Sequence, residues 1–381
     1  MGYKMLVMNM GSTSTKIAVF EGENMLWREG LDHPREDITR YATYKDQYAY
    51  RKAAIMAELA RHGEQLDSFD VFVSRGGTIR PVPGGIWKIN QAMLDDAWSG
   101  KYGEHPCNIG GQIAFDLAGE FGRQAITVDP PVCSELSDEA RISGLPQIER
   151  IASGHFLNQR AIARRYAKDI GKDYKELNLI VAHMGGGVSV GAHLHGIVTE
   201  FNNALAGDGP MAMERAGGLP TGDLINMCFS GDYGKDEMLR MVNGRGGMFA
   251  YLGLTDARKI QEKIENGDEY AERITKAMAY QISREIGSLA PVFNGKVDAI
   301  LLTAGLAYWD SFVSLIRERV EFIAPVHVYP GENEMLSLAE GAYRCLSGHE
   351  PAQEYARCGT ERAKKPARSV NRAGYGCPAP N

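Results

Sequence analysis

The chain has 381 residues, of which 44% are hydrophobic and 24% charged, and its formal net charge is −6. This composition is typical of a soluble protein large enough for two domains, and the negative charge argues against broad affinity for nucleic acid. The six cysteines include no CxxC pair, which disfavours a zinc site or a secreted disulfide framework. Because the sequence has no secretion signal and no membrane-spanning run, we expect a cytoplasmic enzyme without membrane or nucleic-acid partners.

The first predicted element is a hairpin. An apolar strand at 6–10 runs into Gly11, and the chain returns as a second strand that begins at Lys16. Gly11 permits a sharp turn in which successive N–H groups face an anion. The residues that follow add short donors and one positive charge: Ser12, Thr13, Ser14, Thr15 and Lys16. The pattern fits a phosphate-binding loop, and it also fits an ordinary polar hairpin turn.

An arginine follows the next predicted strand. A helical pattern at 46–62 precedes an apolar strand at 70–74, which ends at Arg75 before two glycines. Ligands of open α/β sheets collect at the carboxyl ends of strands, so Arg75 is well placed to meet one. A surface turn would explain the same arginine without a ligand.

A histidine and an aspartate mark the loops around the following helix and strand. His105 precedes a proline and a helical pattern at 112–122, and the strand at 125–128 ends at Asp129. Asp129 is a candidate magnesium ligand and His105 a candidate catalytic residue. Turn capping would explain either residue without a ligand.

The pattern of strand, glycine turn and strand occurs a second time at 180–196. Four positions of the first hairpin match four of the second at one constant spacing: Asn9 with His183, Gly11 with Gly185, Ala18 with Ala192 and Gly22 with Gly196. Such internal similarity indicates two related α/β lobes, each presenting one phosphate-facing hairpin to a shared cleft. Because they alternate along a strand of this second hairpin, His193 and His195 are predicted as sheet residues and not as metal ligands.

The second half continues with a long glycine-rich connection at 203–222, which contains Asp208, Glu214 and Arg215. Connections of this length are usually functional or mobile. The elements predicted beyond it are helices at 256–266 and 268–289, a strand at 297–304 that ends in a third glycine turn at Gly305, a strand at 326–329, and a helix at 335–346 that follows the segment 330–334.

The predicted organisation is an N-terminal lobe at 1–150 and a C-terminal lobe at 151–350, whose last helix can pack back on the first lobe. The tail at 356–381 contains six basic residues, one acid and no apolar period. This composition predicts disorder or loose docking. A basic tail can also contact anions, so both interpretations stay open.

Taken in chain order, these segments resemble the acetokinase family, most closely its butyrate kinase branch, over residues 4–348. The general resemblance rests on seven motifs: 9–16, 75–77, 105–108, 128–129, 183–189, 303–305 and 331–334. The likeness to the butyrate branch rests on three further segments: 81–85, 157–159 and 217–223. The resemblance implies a two-lobed, duplicated ribonuclease-H-like α/β fold, shared by acetate and sugar kinases, Hsp70 and actin. It also implies a homo-oligomer that uses ATP and Mg²⁺ to phosphorylate a carboxylate reversibly.

The resemblance implies roles for individual residues. His105 matches a histidine that contacts the transferring phosphoryl group, Asn9 an asparagine near magnesium and phosphate, and Asp129 and Glu334 the acids near the metal. With Asn9 and His105, Arg75 and Arg215 complete the candidate catalytic set. The candidate nucleotide-binding set is Gly11, Ser12, Thr13, Ser14, Lys16, His183, Gly185, Gly186, Gly187, Ala304, Gly305 and Leu306.

Three positions depart from the acetate kinase pattern. Phe72 stands where those enzymes have an arginine, Gln159 where they have a second catalytic histidine, and Pro220 near their second arginine. Arg75, His155 and Arg215 are candidates to supply the missing charge from shifted positions. The acetate kinase mechanism therefore transfers in outline only.

The predicted reaction is direct in-line attack of the butyrate carboxylate on the γ-phosphorus of ATP, which needs no general base because the carboxylate is already ionised. Isobutyrate or acetate could replace butyrate, since acyl selectivity depends on the depth of a pocket. A hydroxyl (sugar) kinase of the same fold would need a base near its acceptor, and none is evident. A non-catalytic ATP-driven clamp is a further alternative, although no segment resembles a peptide-binding module.

Overall fold

The computed structural model describes residues 2–356, so the tail prediction for 357–381 concerns residues outside the described range. The first half of the chain forms one mixed sheet. Its strands are β1 (Lys4–Met10), β2 (Ser14–Glu21), β3 (Asn24–Asp32), β4 (Val71–Ser74), β5 (Ile86–Lys88) and β6 (Gln124–Val128). Their order is β3-β2-β1-β4-β6-β5, with β1, β4 and β6 parallel.

Six helices precede the second sheet in the chain: α1 (Arg35–Ile38), α2 (Tyr48–Arg61), α3 (Gln91–Ser99), α4 (Cys107–Glu120), α5 (Asp138–Arg141) and α6 (Phe156–Asp169). Successive side chains of a strand point to opposite faces, so β1 serves two cores. Leu6 and Met8 pack with α2, α3 and α4 on one face, while Met5 and Val7 belong to the cluster on the other.

The second half repeats this arrangement. Its strands are β7 (Asn178–Met184), β8 (Val188–Leu194), β9 (Ile197–Phe201), β10 (Ala299–Ala304) and β11 (Val326–Pro330). The order β9-β8-β7-β10-β11 is the same as β3-β2-β1-β4-β6, with the same strands parallel and antiparallel. The predicted duplication is therefore confirmed, and β5 is an additional edge strand of the first sheet.

Seven helices complete the described chain: α7 (Thr221–Phe229), α8 (Lys235–Val242), α9 (Gly247–Leu252), α10 (Ala257–Glu265), α11 (Glu269–Leu289), α12 (Asp310–Val320) and α13 (Glu334–Leu346). Helices α11 and α12 cover one face of the second sheet through a large apolar cluster. Between residues 2 and 356, no helix is long and apolar enough to cross a membrane.

Two helices lie between the sheets. Helix α6 packs on the second sheet through Ala163 and Tyr166, and α13 packs on the first sheet through Leu338 and Ala342. The two helices also contact each other. The last helix thus returns to the first sheet. The division at residue 150 lies in the connection between α5 and α6 and stays a prediction.

Candidate active site

The two halves meet where their central strands end. Asn9, near the end of β1, donates from Nδ2 to Oε2 of Glu334 at 2.5 Å, and Arg75, after β4, pairs through Nη2 with Oε1 of the same carboxylate at 3.3 Å. Glu334 begins α13, two residues after Glu332, which contacts His183 at the end of β7. The segment 331–334 therefore connects the two glycine hairpins, as the predicted shared cleft requires.

A buried arginine shapes the first glycine loop. Arg51 of α2 donates to the carbonyl oxygens of Gly11 (3.0 Å), Ser12 (2.8 Å) and Ser14 (3.3 Å). In a trans peptide the N–H points away from the C=O, so the amides of Ser12 and Thr13 point away from Arg51. This arrangement turns N–H groups outward, as an anion-binding loop requires.

Arg51 has no carboxylate partner among the described residues. Its remaining hydrogen bonds go to Gln47 Oε1 and Thr15 Oγ1, both neutral. The side chain is fully buried, and burial holds the pKa of its guanidinium below the ordinary value. Arg51 is absent from the residues predicted from the sequence, because an arginine inside an amphipathic helix is usually a surface residue.

The side chains of the first loop divide between the interior and the cleft. Thr15 is buried and lies 2.8 Å from Nε2 of His33, whereas Ser12, Thr13 and Lys16 are exposed. Ser14, the first residue of β2, is partly buried. Lys16 is the strand partner of Asn9 on β2. The hydrogen bond to His183 lowers the pKa of Glu332, and the charge of Lys16 contributes in the same direction. Lys16 of one half therefore lies near Glu332 of the other.

His105 lies beside the first loop. Its Nδ1 accepts the N–H of Cys107 at 3.1 Å, and its Nε2 is 3.4 Å from Oγ of Ser12. Burial, together with the charges of Arg75 and Arg51, lowers the pKa of His105. His105 thus fits both the capping and the catalytic interpretation, because Nδ1 supports the start of α4 while Nε2 faces the first glycine loop.

The second glycine loop is organised by His183 and Arg215. His183 is buried, with Nδ1 3.0 Å from Oδ1 of Asn158 and Nε2 3.1 Å from Oε1 of Glu332. The guanidinium of Arg215 lies so close to Gly187 that a Cβ there would be 1.8 Å from Nη1. Arg215 also donates to the carbonyl of Ala204 at 3.1 Å. The predicted connection 203–222 therefore brings Arg215 to the second loop.

The three glycines of this loop have different surroundings. The N–H of Gly185 donates to the carbonyl of Gly187 at 3.0 Å, which closes the turn. A Cβ at Gly185 would lie 3.0 Å from Oε1 of Glu332, a tight contact that would push the end of this side chain aside. Gly186 is exposed and has open space around it.

Asp129 lies deeper than the other acids. Its side chain is fully buried, pairs with Nε of Arg160 and Nη1 of Arg164 at 3.0 Å each, and accepts the N–H of Gly85 at 2.8 Å. Burial alone would raise the pKa of this carboxyl, but the charges of Arg160 and Arg164 lower it overall. Both oxygens of Asp129 are therefore already paired, although the residue lines a narrow cavity with Arg75 and Glu334.

The third glycine turn joins the same segment. Ala304 and Gly331 exchange two backbone hydrogen bonds, of 3.3 and 3.0 Å, and Ala304 has a φ of 74°, which costs a non-glycine residue about 1–3 kcal/mol. Gly305 is exposed, whereas the side chain of Leu306 packs in the core of the second half. The side chain of Leu306 is thus not available to a nucleotide.

The three departures from the acetate kinase pattern lie away from the cleft or in the interior. Phe72 is a core residue, Gln159 is buried in a polar network, and Pro220 is exposed just before α7. His155, by contrast, lines the narrow cavity and stacks on His183 with ring centroids 3.7 Å apart.

Two lobes with one repeated sheet order, joined across a polar cleft of glycine turns, define a two-lobed, duplicated α/β fold. The fold matches acetate kinase of Porphyromonas gingivalis with a TM-score of 0.76 at 18% identity, covering 90% of this chain and all of that one. It also matches a propionate kinase from Francisella tularensis with a TM-score of 0.71 at 16% identity, covering 89% of this chain and 98% of that one.

The comparisons of sequence find relatives of higher identity than these solved structures. The model of the acetokinase family matches residues 152–328. Two relatives are a probable butyrate kinase of Clostridium botulinum strain Alaska E43, 50% identical, and butyrate kinase 2 of Clostridium acetobutylicum, 47% identical. Each alignment covers 93% of this chain and all of the relative. The chain belongs to the acetokinase family.

Proposed function

We propose that this chain is a butyrate kinase, which reversibly transfers the γ-phosphoryl group of ATP to butyrate and forms butyryl phosphate and ADP. The proposal is carried by 47–50% identity over the whole length of relatives that are named butyrate kinases. The cleft supports it because its anion-binding groups come from both lobes. Branched or shorter acids are the alternatives, since one or two methylenes change binding by only about 0.8 kcal/mol each.

The residues of the cleft suit phosphoryl transfer to an ionised acceptor. Positioning and charge stabilisation carry this reaction, and a carboxylate at neutral pH needs no base. The outward amides of Ser12 and Thr13 cradle phosphate oxygens, as do those N–H groups of the second loop that do not close its turn. Lys16, Arg75 and Arg215 offset the charge that develops on the phosphoryl oxygens, and His105 donates to them from Nε2. Gly305 and the backbone of its neighbours contact the adenosine.

The acids of the cleft fit Mg²⁺, which prefers oxygen ligands and usually keeps several waters. Of the two acids predicted near the metal, Glu334 is the accessible one, with 20% of its side chain exposed, and it already orients Asn9 and Arg75. Because the oxygens of Asp129 are paired with arginines, this residue would contact the ion through a bound water. When bound, Mg²⁺ offsets negative charge on the nucleotide oxygens.

Trapping the product with hydroxylamine tests this function. Purified protein is given magnesium-ATP and each of a panel of C2–C5 acids, and acyl hydroxamate is measured as its coloured iron complex. We expect the highest kcat/KM with butyrate. A higher kcat/KM with isobutyrate or acetate would identify that acid as the substrate in place of butyrate. ADP formation with a sugar, without hydroxamate from any acid, would support the hydroxyl kinase instead.

The Arg75→Ala variant tests the mechanism. Removing one such donor should lower kcat by a factor on the order of 10²–10³. The matched control is Arg123→Ala, which removes an exposed arginine just before β6 and should leave kcat unchanged. Near-normal turnover of the Arg75 variant would contradict its proposed role. We also expect a cytoplasmic homo-oligomer, whose mass light scattering measures directly.

A further inference from the structure

An apolar face of the second lobe is exposed around α7 and α8. Five of the nine residues of α7 are apolar, yet none of the nine is buried. The most exposed is Phe229, with a relative exposure of 86%. A helix of this composition normally packs its apolar side against another element. Large apolar side chains in the neighbouring segments are also more than a third exposed: Leu205, Leu219, Tyr233 and Leu239.

A groove of about 710 Å³ opens on the same face. Its lining is mainly apolar and comes from α7, α8 and the segments beside them: Leu205, Leu224, Cys228, Met238, Leu239 and Val242. The face therefore has a projecting phenylalanine and an apolar depression close together. A two-fold axis can place the projection of each copy in the depression of the other, because an isologous interface uses the same patch twice.

The exposed apolar area is close to what a stable dimer needs. At roughly 200 Å² for a fully exposed large side chain, the apolar residues of this face together expose about 600 Å²; they are Leu205, Leu219, Ile225, Phe229, Tyr233 and Leu239. A specific interface buries about 800 Å² on each partner, and somewhat more than half of that area is apolar. Monomeric proteins rarely expose a contiguous apolar patch larger than a few hundred Å².

The charges of α8 suit a second copy of the same helix. Asp236 and Glu237 lie in its first turn and Arg240 in its last. Within residues 2–356, none of these three side chains forms an ion pair. When two copies of α8 run antiparallel about a two-fold axis near Leu239, each Arg240 faces the acids of the other copy. This complementarity favours a second copy of the chain as the partner.

The same helix supports the backbone around Arg215. The N–H of Ala216 donates to the carbonyl of Val242, the last residue of α8, at 3.0 Å. The N–H of Gly244 donates to the carbonyl of Glu214 at 2.8 Å. These two bonds hold the residues on either side of Arg215, whose guanidinium lies against the second glycine loop. A partner that covers α8 therefore also restrains the segment that carries Arg215.

We propose that α7, α8 and the segment at 205–206 form the interface of a two-fold symmetric homodimer, in which Phe229 of each copy enters the groove of the other. The dimer restrains α8 and thereby keeps Arg215 at the second glycine loop. This consequence for Arg215 rests on the proposed phosphotransferase function, whereas the interface does not.

Light scattering of the purified full chain tests the interface. The unmodified protein should have at least twice the 41.8 kDa mass of one chain. Phe229→Asp should lower the mass and raise the dissociation constant by a factor on the order of 30 or more, as loss of a central anchor does. The matched control is Phe322→Asp, since Phe322 lies just after α12 and is 83% exposed. It should leave the mass unchanged. A monomeric unmodified protein, or a Phe229→Asp dimer of normal stability, would overturn the interface.

Charge reversal tests the antiparallel arrangement of the two α8 helices. Arg240→Glu leaves only acids at these positions of α8 and should raise the dissociation constant by a factor on the order of 10, because like charges then meet. Adding Asp236→Arg and Glu237→Arg to that variant restores opposite charges across the axis and should recover the dimer. Both effects should shrink in 1 M salt. A triple variant that dimerises no better than Arg240→Glu would overturn this arrangement.

The hydroxamate assay tests the consequence for Arg215. Where Phe229→Asp is monomeric, its kcat should be lower by a factor on the order of 10, less than the 10²–10³ expected when a transition-state donor is removed outright. Activity per chain of this variant should rise with protein concentration as the dimer reforms, and Phe322→Asp should keep normal kcat. A fully active monomer would overturn the support of Arg215. If the unmodified protein formed no acyl hydroxamate, the proposed function would fail, and the mass measurements would still decide the interface.

Discussion

A single buried guanidinium organises the first phosphate loop. Arg51 is held by carbonyl, hydroxyl and amide oxygens, so within residues 2–356 its positive charge has no buried anion to balance it. Burying a charge without a counter-ion is costly, and hydrogen bonds from neutral groups offset that cost only in part. A bound triphosphate would bring the compensating negative charge close to it. On the proposed function, the nucleotide would therefore complete the loop electrostatically.

Replacing Arg51 should weaken nucleotide binding more than turnover. We expect Arg51→Met to raise KM for ATP by a factor on the order of 10, equivalent to about 1.4 kcal/mol, because the loop loses both its shape and its charge. Arg61→Met, on the same helix, is the control, since Arg61 pairs with surface acids. An unchanged KM for ATP in a folded Arg51 variant would contradict this role.

Stability should fall on acidification, and His33 contributes to this. Burial, followed by the charge of Arg51, lowers the pKa of His33 from 6.5 to about 4. The unfolded chain therefore binds a proton at this residue before the folded protein does. Above pH 6.5, His33 therefore does not lower the free energy of unfolding. Between pH 6.5 and 4, it lowers that free energy by at most about 1.4 kcal/mol per pH unit.

Urea unfolding at a series of pH values measures this dependence. The slope of unfolding free energy against pH between 4.5 and 6.5 should be shallower in His33→Asn than in the unmodified protein. Equal slopes in the two proteins would show that His33 is protonated in the folded state, contrary to its burial against Arg51.

At the scale of elements, α13 depends on one glycine for its contact with the first sheet. A Cβ at Gly341 would lie 2.5 Å from Cγ1 of Val128 on β6, a distance that packed atoms do not reach. The helix also supplies Glu334 to the cleft, so its position against β6 links packing to the site.

The Gly341→Ala variant should therefore lose stability despite the higher helix propensity of alanine. Overpacking typically costs about 1–3 kcal/mol, more than the 0.5–1 kcal/mol that alanine gains over glycine inside a helix. The control is Gly287→Ala in α11, where a Cβ meets nothing within 4 Å and should be neutral or stabilising. Unfolding free energies from urea titration compare the two variants, and equal effects would contradict the close contact.

At the scale of the whole molecule, the cleft is assembled from both lobes, so a nucleotide should stabilise them together. Asn9 reaches Glu334, and Glu332 reaches His183, across the junction of the two sheets. A ligand that binds only the folded state adds about 2.7 kcal/mol at one hundred times its Kd.

Thermal unfolding with magnesium and ADP should accordingly show one cooperative transition at a higher temperature than without ligand. Removing Mg²⁺ with a chelator should reduce the gain, because the acids of the cleft would then face the phosphates without a cation. Stabilisation of only one of two separate transitions would indicate that the nucleotide contacts a single lobe.

Much of the fold could be predicted from local sequence pattern. The two strand–glycine turn–strand hairpins, their constant spacing and the helices α2, α10 and α11 follow from hydrophobic periodicity and turn residues, which act over a few neighbouring positions. Helix α4 shows the limit of that reasoning. It begins at Cys107 and not near 112, because Gly110 and Gly111 pack against Ser74 and Leu94 inside the helix and do not form a loop.

Only the tertiary structure decided which polar groups meet. The sequence by itself determined the class of protein and most of the cleft residues, since their motifs lie at strand ends. It gave no sign that Arg51 supports the first loop, that Asp129 is paired with Arg160 and Arg164, or that Gln159 contacts Ser189 and His193. Each of these contacts joins residues that are far apart in the chain or buried within a helix. The role of such a polar side chain depends on its burial and its partner, and local sequence pattern predicts neither.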